Sequence, residues 1–120
     1  MKTSVTKCFE FEASHHLPEY EGACNRLHGH SYKMQVTVSG SVDDMSGMII
    51  DFNVLKSIVK DKVVDKYDHQ YLNDFFPNPT AENMVQHIFK TLNVSFSKMG
   101  LTLESVKLWE TATSFAECRR

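Results

Sequence analysis

The stretch 24-CNRLHGHSYKMQVTV-38 decides the fold. From Tyr32 onward Met34, Val36 and Val38 alternate with Lys33, Gln35 and Thr37, a period of two that predicts a strand with one buried face. The alternation extends over 31–42, until Gly40 and the turn residues 43-DDMSG-47 end it. Just before it stand His28, Gly29 and His30, with Cys24 four residues upstream of His28. In extended backbone His28 and His30 point to one side, because side chains repeat every second residue.

Working outward, residues 4–13 alternate too. Val5, Phe9, Phe11 and Ala13 share one parity and Glu10 and Glu12 the other, with Lys7 breaking the pattern. Residues 14–30 lose periodicity and carry Pro18, Gly22 and Gly29, a loop long enough to suggest function. Downstream, Asp51 or Asn53 caps a helix with the stripe Leu55, Ile58, Val59 and Val63. An aromatic-rich connection, 67-YDHQYLNDFFPNP-79, follows. Pro79 and Thr80 open a second helix, with Glu82 in its first turn and the stripe Met84, Val85, Ile88, Phe89 and Leu92. After Gly100, residues 101–111 and 114-SFAEC-118 read as strands. The order ββααββ predicts one α+β domain over 1–120: a four-stranded antiparallel sheet with both helices on one face. The sheet's edges must be paired or protected, so assembly through them is expected.

The length of 120 residues suits one domain with its own core. A formal charge of -2, from 13 basic and 15 acidic side chains without long runs of one sign, argues against a nucleic-acid partner. No window approaches the roughly 20 apolar residues of a membrane helix, and no signal peptide is evident. Three widely spaced cysteines, Cys8, Cys24 and Cys118, fit a reducing, cytoplasmic setting better than a disulfide framework. Core packing is expected for Cys8 and Cys118.

Pairing the first two strands as a hairpin brings the two ends of the loop together. His15 then joins His28 and His30, and three imidazoles with one open position is the pattern of a catalytic zinc. His15 is preferred to His16 because it shares parity with Phe11 and Ala13. Three roles are open to Cys24: a fourth ligand closing a structural site, a small buried hydrophobe, or a base or nucleophile beside the metal. Glu110 shares parity with Val106 and Leu108, so it sits on an apolar face near a strand end. It either finds a basic neighbour or solvent, or anchors a ligand such as a planar aminopyrimidinone through two N–H groups. Asp68 and His69 are either a polar loop or a carboxylate orienting an imidazole.

The segments FEASHHLP, CNRLHGHSY, SGMIIDF, YDHQYLND, NPTAEN and WETAT, in this order, resemble the 6-pyruvoyl-tetrahydropterin synthase and 6-carboxy-tetrahydropterin synthase family over nearly the whole chain. The resemblance implies the tunnelling fold, in which subunits join sheets into a barrel, typically as trimers stacked into a homohexamer with active sites between subunits. It implies one Zn2+ per subunit on His15, His28 and His30, a catalytic Cys24, a catalytic pair Asp68 and His69, and Glu110 as catalytic and pterin-anchoring carboxylate. Thr80 and Glu82 are further substrate-binding candidates. Only Asn25, Arg26 and Leu27 separate Cys24 from His28, a spacing like that of the 6-carboxy branch of 7-deazaguanine and queuosine biosynthesis. The implied substrate is 7,8-dihydroneopterin triphosphate, a pterin triphosphate. The implied reaction is a lyase giving 6-carboxy-5,6,7,8-tetrahydropterin, acetaldehyde and triphosphate. The alternatives are 6-pyruvoyl-tetrahydropterin synthase, a non-enzymatic structural-zinc module, and a pterin-binding relative without catalysis. His16 stands where the family frequently has arginine, and no role is assigned to it.

Overall fold

The computed structural model describes residues 1–120. Two long strands, β1 (Ser4–His15) and β2 (His28–Ser39), pair antiparallel from Ser4↔Ser39 to His15↔His28. β1 runs two residues past the predicted 4–13, and β2 begins and ends three residues earlier than the predicted 31–42. The ladder runs on through Ala13↔His30 and Ser14↔Gly29, so all three histidines stand on strands and the loop shrinks to 16–27. Gly29 needs no special φ there. β2 also pairs antiparallel with β4 (Thr102–Thr111), and β4 with β5 (Ser114–Arg119).

The sheet is five-stranded and mixed, in the order β3-β1-β2-β4-β5, which corrects the four-stranded antiparallel expectation. The added strand, β3 (Gln70–Tyr71), runs parallel to β1 through Ala13↔Gln70 and Ser14↔Tyr71. Two residues are too few to show a period, and the free edge of β1 templates them.

Asp51 caps α1 (Phe52–Val59), its carboxylate accepting the Asn53 N–H at 2.7 Å. The helical path continues as a π segment (Lys60–Val64) and α2 (Asp65–Tyr67). Thr80 caps α3 (Ala81–Ser97) by accepting the Asn83 N–H at 3.1 Å. Thr80→Ala is expected to cost about 1 kcal/mol and to lower Tm by several degrees, measured by thermal unfolding. An unchanged Tm would mean that the cap does not hold the helix.

Both helical runs cover one face of the sheet. Leu55, Val59, Val63, Met84, Val85, Ile88, Leu92 and Phe96 form one core with Phe9, Phe11, Tyr32, Met34, Val36, Val38, Leu103, Val106 and Leu108. Each such buried side chain contributes about 1.5–3 kcal/mol through apolar area removed from water. The opposite face carries Glu10, Glu12, Ser31, Lys33, Lys107 and Trp109, and no element of the chain covers it. Cys8 lies on that face and is exposed, which corrects the core reading: it has the parity of Glu10 and Glu12. Cys118 is partly buried and packs on the core.

Candidate active site

The register of β1 and β2 builds the site. His15 and His28 are direct partners in the ladder, and His30 is two residues along β2 on the same face. The Nε2 atoms of His15 and His28 are 3.0 Å apart, and those of His28 and His30 also 3.0 Å. His15 is fully buried, and the other two are half-buried at the end of the core. His15 Nδ1–H donates to the Pro79 carbonyl at 2.9 Å, and the Tyr32 hydroxyl lies 3.3 Å from the same nitrogen. His28 Nδ1–H donates to the Arg26 carbonyl at 2.7 Å.

These bonds fix the tautomers and test whether a metal fits. With the proton on Nδ1, His15 and His28 present lone pairs, not N–H groups, to each other at Nε2. Such a contact is repulsive until a cation sits between them. Nitrogens 3.0 Å apart can both lie at the ~2.0–2.1 Å of a Zn–N bond. Burial, above all, holds His15 and His30 below the usual imidazole pKa, against the nearby Glu110 carboxylate, which favours protonation. Neutral imidazole is the ligating form, so the three residues form a site that fits a metal ion.

Glu110, on β4, comes within 3.5 Å of His30 Nε2 with a side chain only 25% exposed. It also borders a cavity of about 400 Å³ with Glu82, Ala81, Ser114, Phe115 and Glu117. Glu82 therefore shares a cavity with Glu110. Thr80 is not among that cavity's lining residues, and its hydroxyl oxygen is engaged at the helix cap. Cys24 is half-buried in the β1–β2 loop, inside a short 3-10 turn whose carbonyl at Cys24 accepts the Leu17 N–H at 2.8 Å. Its sulfur is not part of the three-histidine group.

His69, next to Asp68, borders a groove of about 530 Å³ with Glu12, Ser14, Gly29, His30 and Ser31. One Asp68 oxygen accepts the Glu12 N–H at 2.9 Å, and the other lies 3.0 Å from His69 Nδ1. His69 has a φ of +60°, held there by its own N–H donating to the Glu12 carbonyl and by Asp68. Its side chain is 77% exposed. Within one chain, then, His69 borders the groove that His30 also lines, but the pair stands outside the three-histidine group.

The Asp68 carboxyl is held below its ordinary value, first by the Glu12 N–H and then by His69. A depressed folded pKa means that its contribution is complete above the unfolded value and is lost as pH falls through the folded one. We expect the Glu12 amide resonance to titrate with a midpoint below the usual carboxylate range in the wild type and not in Asp68→Asn. An ordinary midpoint would refute this.

Sequence reasoning missed the Pro79 and Arg26 carbonyls, since backbone groups leave no residue signature. Tyr32 carried a signal: it shares the parity of His28 and His30 and follows them directly.

A partly buried carboxylate beside three convergent imidazoles, at the end of a helix-backed sheet, defines an α+β enzyme scaffold built around a metal site. The chain belongs to the 6-pyruvoyl tetrahydropterin synthase family, whose model matches residues 4–120. It is 36% identical over 138 aligned residues to the 6-carboxy-5,6,7,8-tetrahydropterin synthase of Haemophilus influenzae, covering 94% of this chain and 96% of that protein. It is 40% identical over 119 residues to the enzyme of the same name from Synechocystis sp., with 93% and 89% covered. Among solved structures, the 6-pyruvoyl tetrahydropterin synthase of Caenorhabditis elegans superposes with a TM-score of 0.88 at 28% identity, covering 100% of this chain and 96% of that one. No helix is long and apolar enough to cross a membrane.

Proposed function

We propose that this chain is a zinc-dependent lyase converting 7,8-dihydroneopterin triphosphate and one water to 6-carboxy-5,6,7,8-tetrahydropterin, acetaldehyde and triphosphate, a step of 7-deazaguanine and queuosine biosynthesis. The observation that carries the reading is the position of Glu110. It reaches His30 from β4 and borders an adjoining cavity, so one carboxylate links a place for a flat ring to the metal site. The family membership and the names of the relatives support the same reaction.

His15, His28 and His30 would hold the Zn2+. When bound, the ion supplies Lewis acidity toward the oxygens of the substrate's side chain. Glu110 accepts the two adjacent N–H groups of the aminopyrimidinone and so orients the ring, which sets the side chain against the histidines. Glu82 borders the same cavity and faces the ring's polar edge, and Thr80 fixes the helix that carries it. Cys24 exchanges protons with the carbon chain, and His69, oriented by Asp68, serves as its partner. The electrons balance within the substrate: the ring is reduced while side-chain carbon is oxidised.

His69 is exposed and stands outside the three-histidine group of its own chain. We therefore place the working site at the junction of copies, in a homohexamer made of two trimers whose sheets close into a barrel. The unpaired edge of β5 and the polar outer face suit such closure. Size-exclusion chromatography with light scattering is expected to give six chains per particle, and a monomer that turns over would refute it.

Product analysis on 7,8-dihydroneopterin triphosphate tests the reaction. We expect acetaldehyde and triphosphate in equal amounts. A pyruvoyl product without acetaldehyde would assign the chain instead to the activity named for its Caenorhabditis elegans structural neighbour.

A further inference from the structure

We infer that Asn73 is a positioning residue for the metal site, acting through the backbone of His16. Its side-chain oxygen accepts the His16 N–H at 3.0 Å, and its side-chain N–H donates to the His16 carbonyl at 3.0 Å. One amide thus satisfies both backbone groups of the residue after His15, as a neighbouring strand would. It does so where β1 loses its partners: β3 pairs only as far as Ser14, and β2 begins at His28 opposite His15.

The segment 68–73 therefore runs as a strap alongside 12–16. Asp68 and His69 hold Glu12, Gln70 and Tyr71 pair with Ala13 and Ser14, and Asn73 closes on His16. Tyr71 adds a second grip, its hydroxyl hydrogen-bonded with His16 Nδ1 at 2.7 Å and the two rings nearly parallel, 11° apart. This gives His16 a role: its ring is anchored outward. Because side chains alternate along an extended chain, fixing His16 outward fixes His15 inward, toward His28 and His30. Without the clamp, the chain just past His15 is tied across the hairpin only by the bond from the Leu17 N–H to the Cys24 carbonyl, two residues on, and is freer to twist. The imidazole would then have only the Pro79 carbonyl and the Tyr32 hydroxyl to aim it.

The inference rests on the metal-site reading, and the test separates the two. Zn2+ affinity is measured on metal-stripped protein by competition with a chelator, together with the visible spectrum of the Co2+ form and the Tm of the apo form. The variants are Asn73→Ala, Asn73→Asp, His28→Ala and, as a control for general loosening, the core change Ile88→Val. We expect Asn73→Ala to weaken Zn2+ about 10–100-fold and to shift the Co2+ bands, as loss of a ligand's support does. Asn73→Asp, which keeps the acceptor and loses the donor, should fall between it and the wild type. Ile88→Val should lower Tm and leave the affinity unchanged. Asn73→Ala binding like the wild type, or Ile88→Val losing as much affinity, overturns the inference. Wild-type protein binding no better than His28→Ala overturns the metal-site reading itself. If Asn73→Ala does not fold, Asn73→Asp and Tyr71→Phe carry the same measurements.

Discussion

Replacing His28 by alanine is expected to abolish stoichiometric metal binding and to lower kcat/KM by about 10³-fold or more. The magnitude follows from the several kcal/mol that a Lewis acid contributes to a transition state, at 1.36 kcal/mol for each factor of ten. His28 is the best of the three histidines for this test. His15 is fully buried between Tyr32 and Pro79, so its loss opens a cavity in the core, whereas His28 is half-buried at the loop end and its removal is tolerated by folding. Only one further contact goes with it, the bond from Nδ1 to the Arg26 carbonyl. Metal content after dialysis is expected to fall from one equivalent per chain toward none, with circular dichroism unchanged. Added Zn2+ should raise the Tm of the wild type, since a ligand that binds only the folded state stabilises it, and should not raise that of the variant. A variant that keeps a full equivalent of metal and activity within tenfold of the wild type would end the three-imidazole account.

The parity arguments explain how much of this could be read from residues alone. His15 rather than His16 faces the cluster because it is in step with Phe11 and Ala13, and Glu110 faces it because it is in step with Val106 and Leu108. Alternation is a local property, and the buried side of each strand follows from it. The same rule, applied to Cys8, would have placed it outside beside Glu10. What stayed hidden depends on contacts between distant segments. β3 has two residues and exists only because β1 offers an edge. The strand ends at His15 and His28 are set by their partners in the ladder and not by their own sequence. That Asp68 and His69 stand outside the imidazole group follows from how the strap of 68–73 lies along the free edge of β1, which no spacing along the chain encodes.

Replacing Cys24 by alanine is expected to leave the metal in place and to lower kcat by about 10²–10⁴-fold, the range for a positioned proton-transfer group. The two halves of that expectation have different grounds. Metal retention follows from geometry: the thiol stands outside the group of ligand atoms formed by His15, His28 and His30, and its turn is held through its backbone by Leu17. Lost turnover follows from the proposed chemistry, in which a group must both take and return protons on the substrate's carbon chain. A group acting in the transition state and not in ground-state binding lowers kcat with little change in KM, so steady-state kinetics separates this role from simple contact with the pterin. Cys24→Ser makes the argument sharper. A hydroxyl fills nearly the same space and is a far weaker acid than a thiol, so packing is kept while proton transfer is not. If serine restores activity, the residue is a spacer. If alanine strips the metal, Cys24 is a fourth ligand and the closed structural site replaces the lyase. Loss of kcat in both variants, with one equivalent of metal retained, is the outcome expected of a thiol that takes part in the chemistry and excludes both the spacer and the fourth ligand.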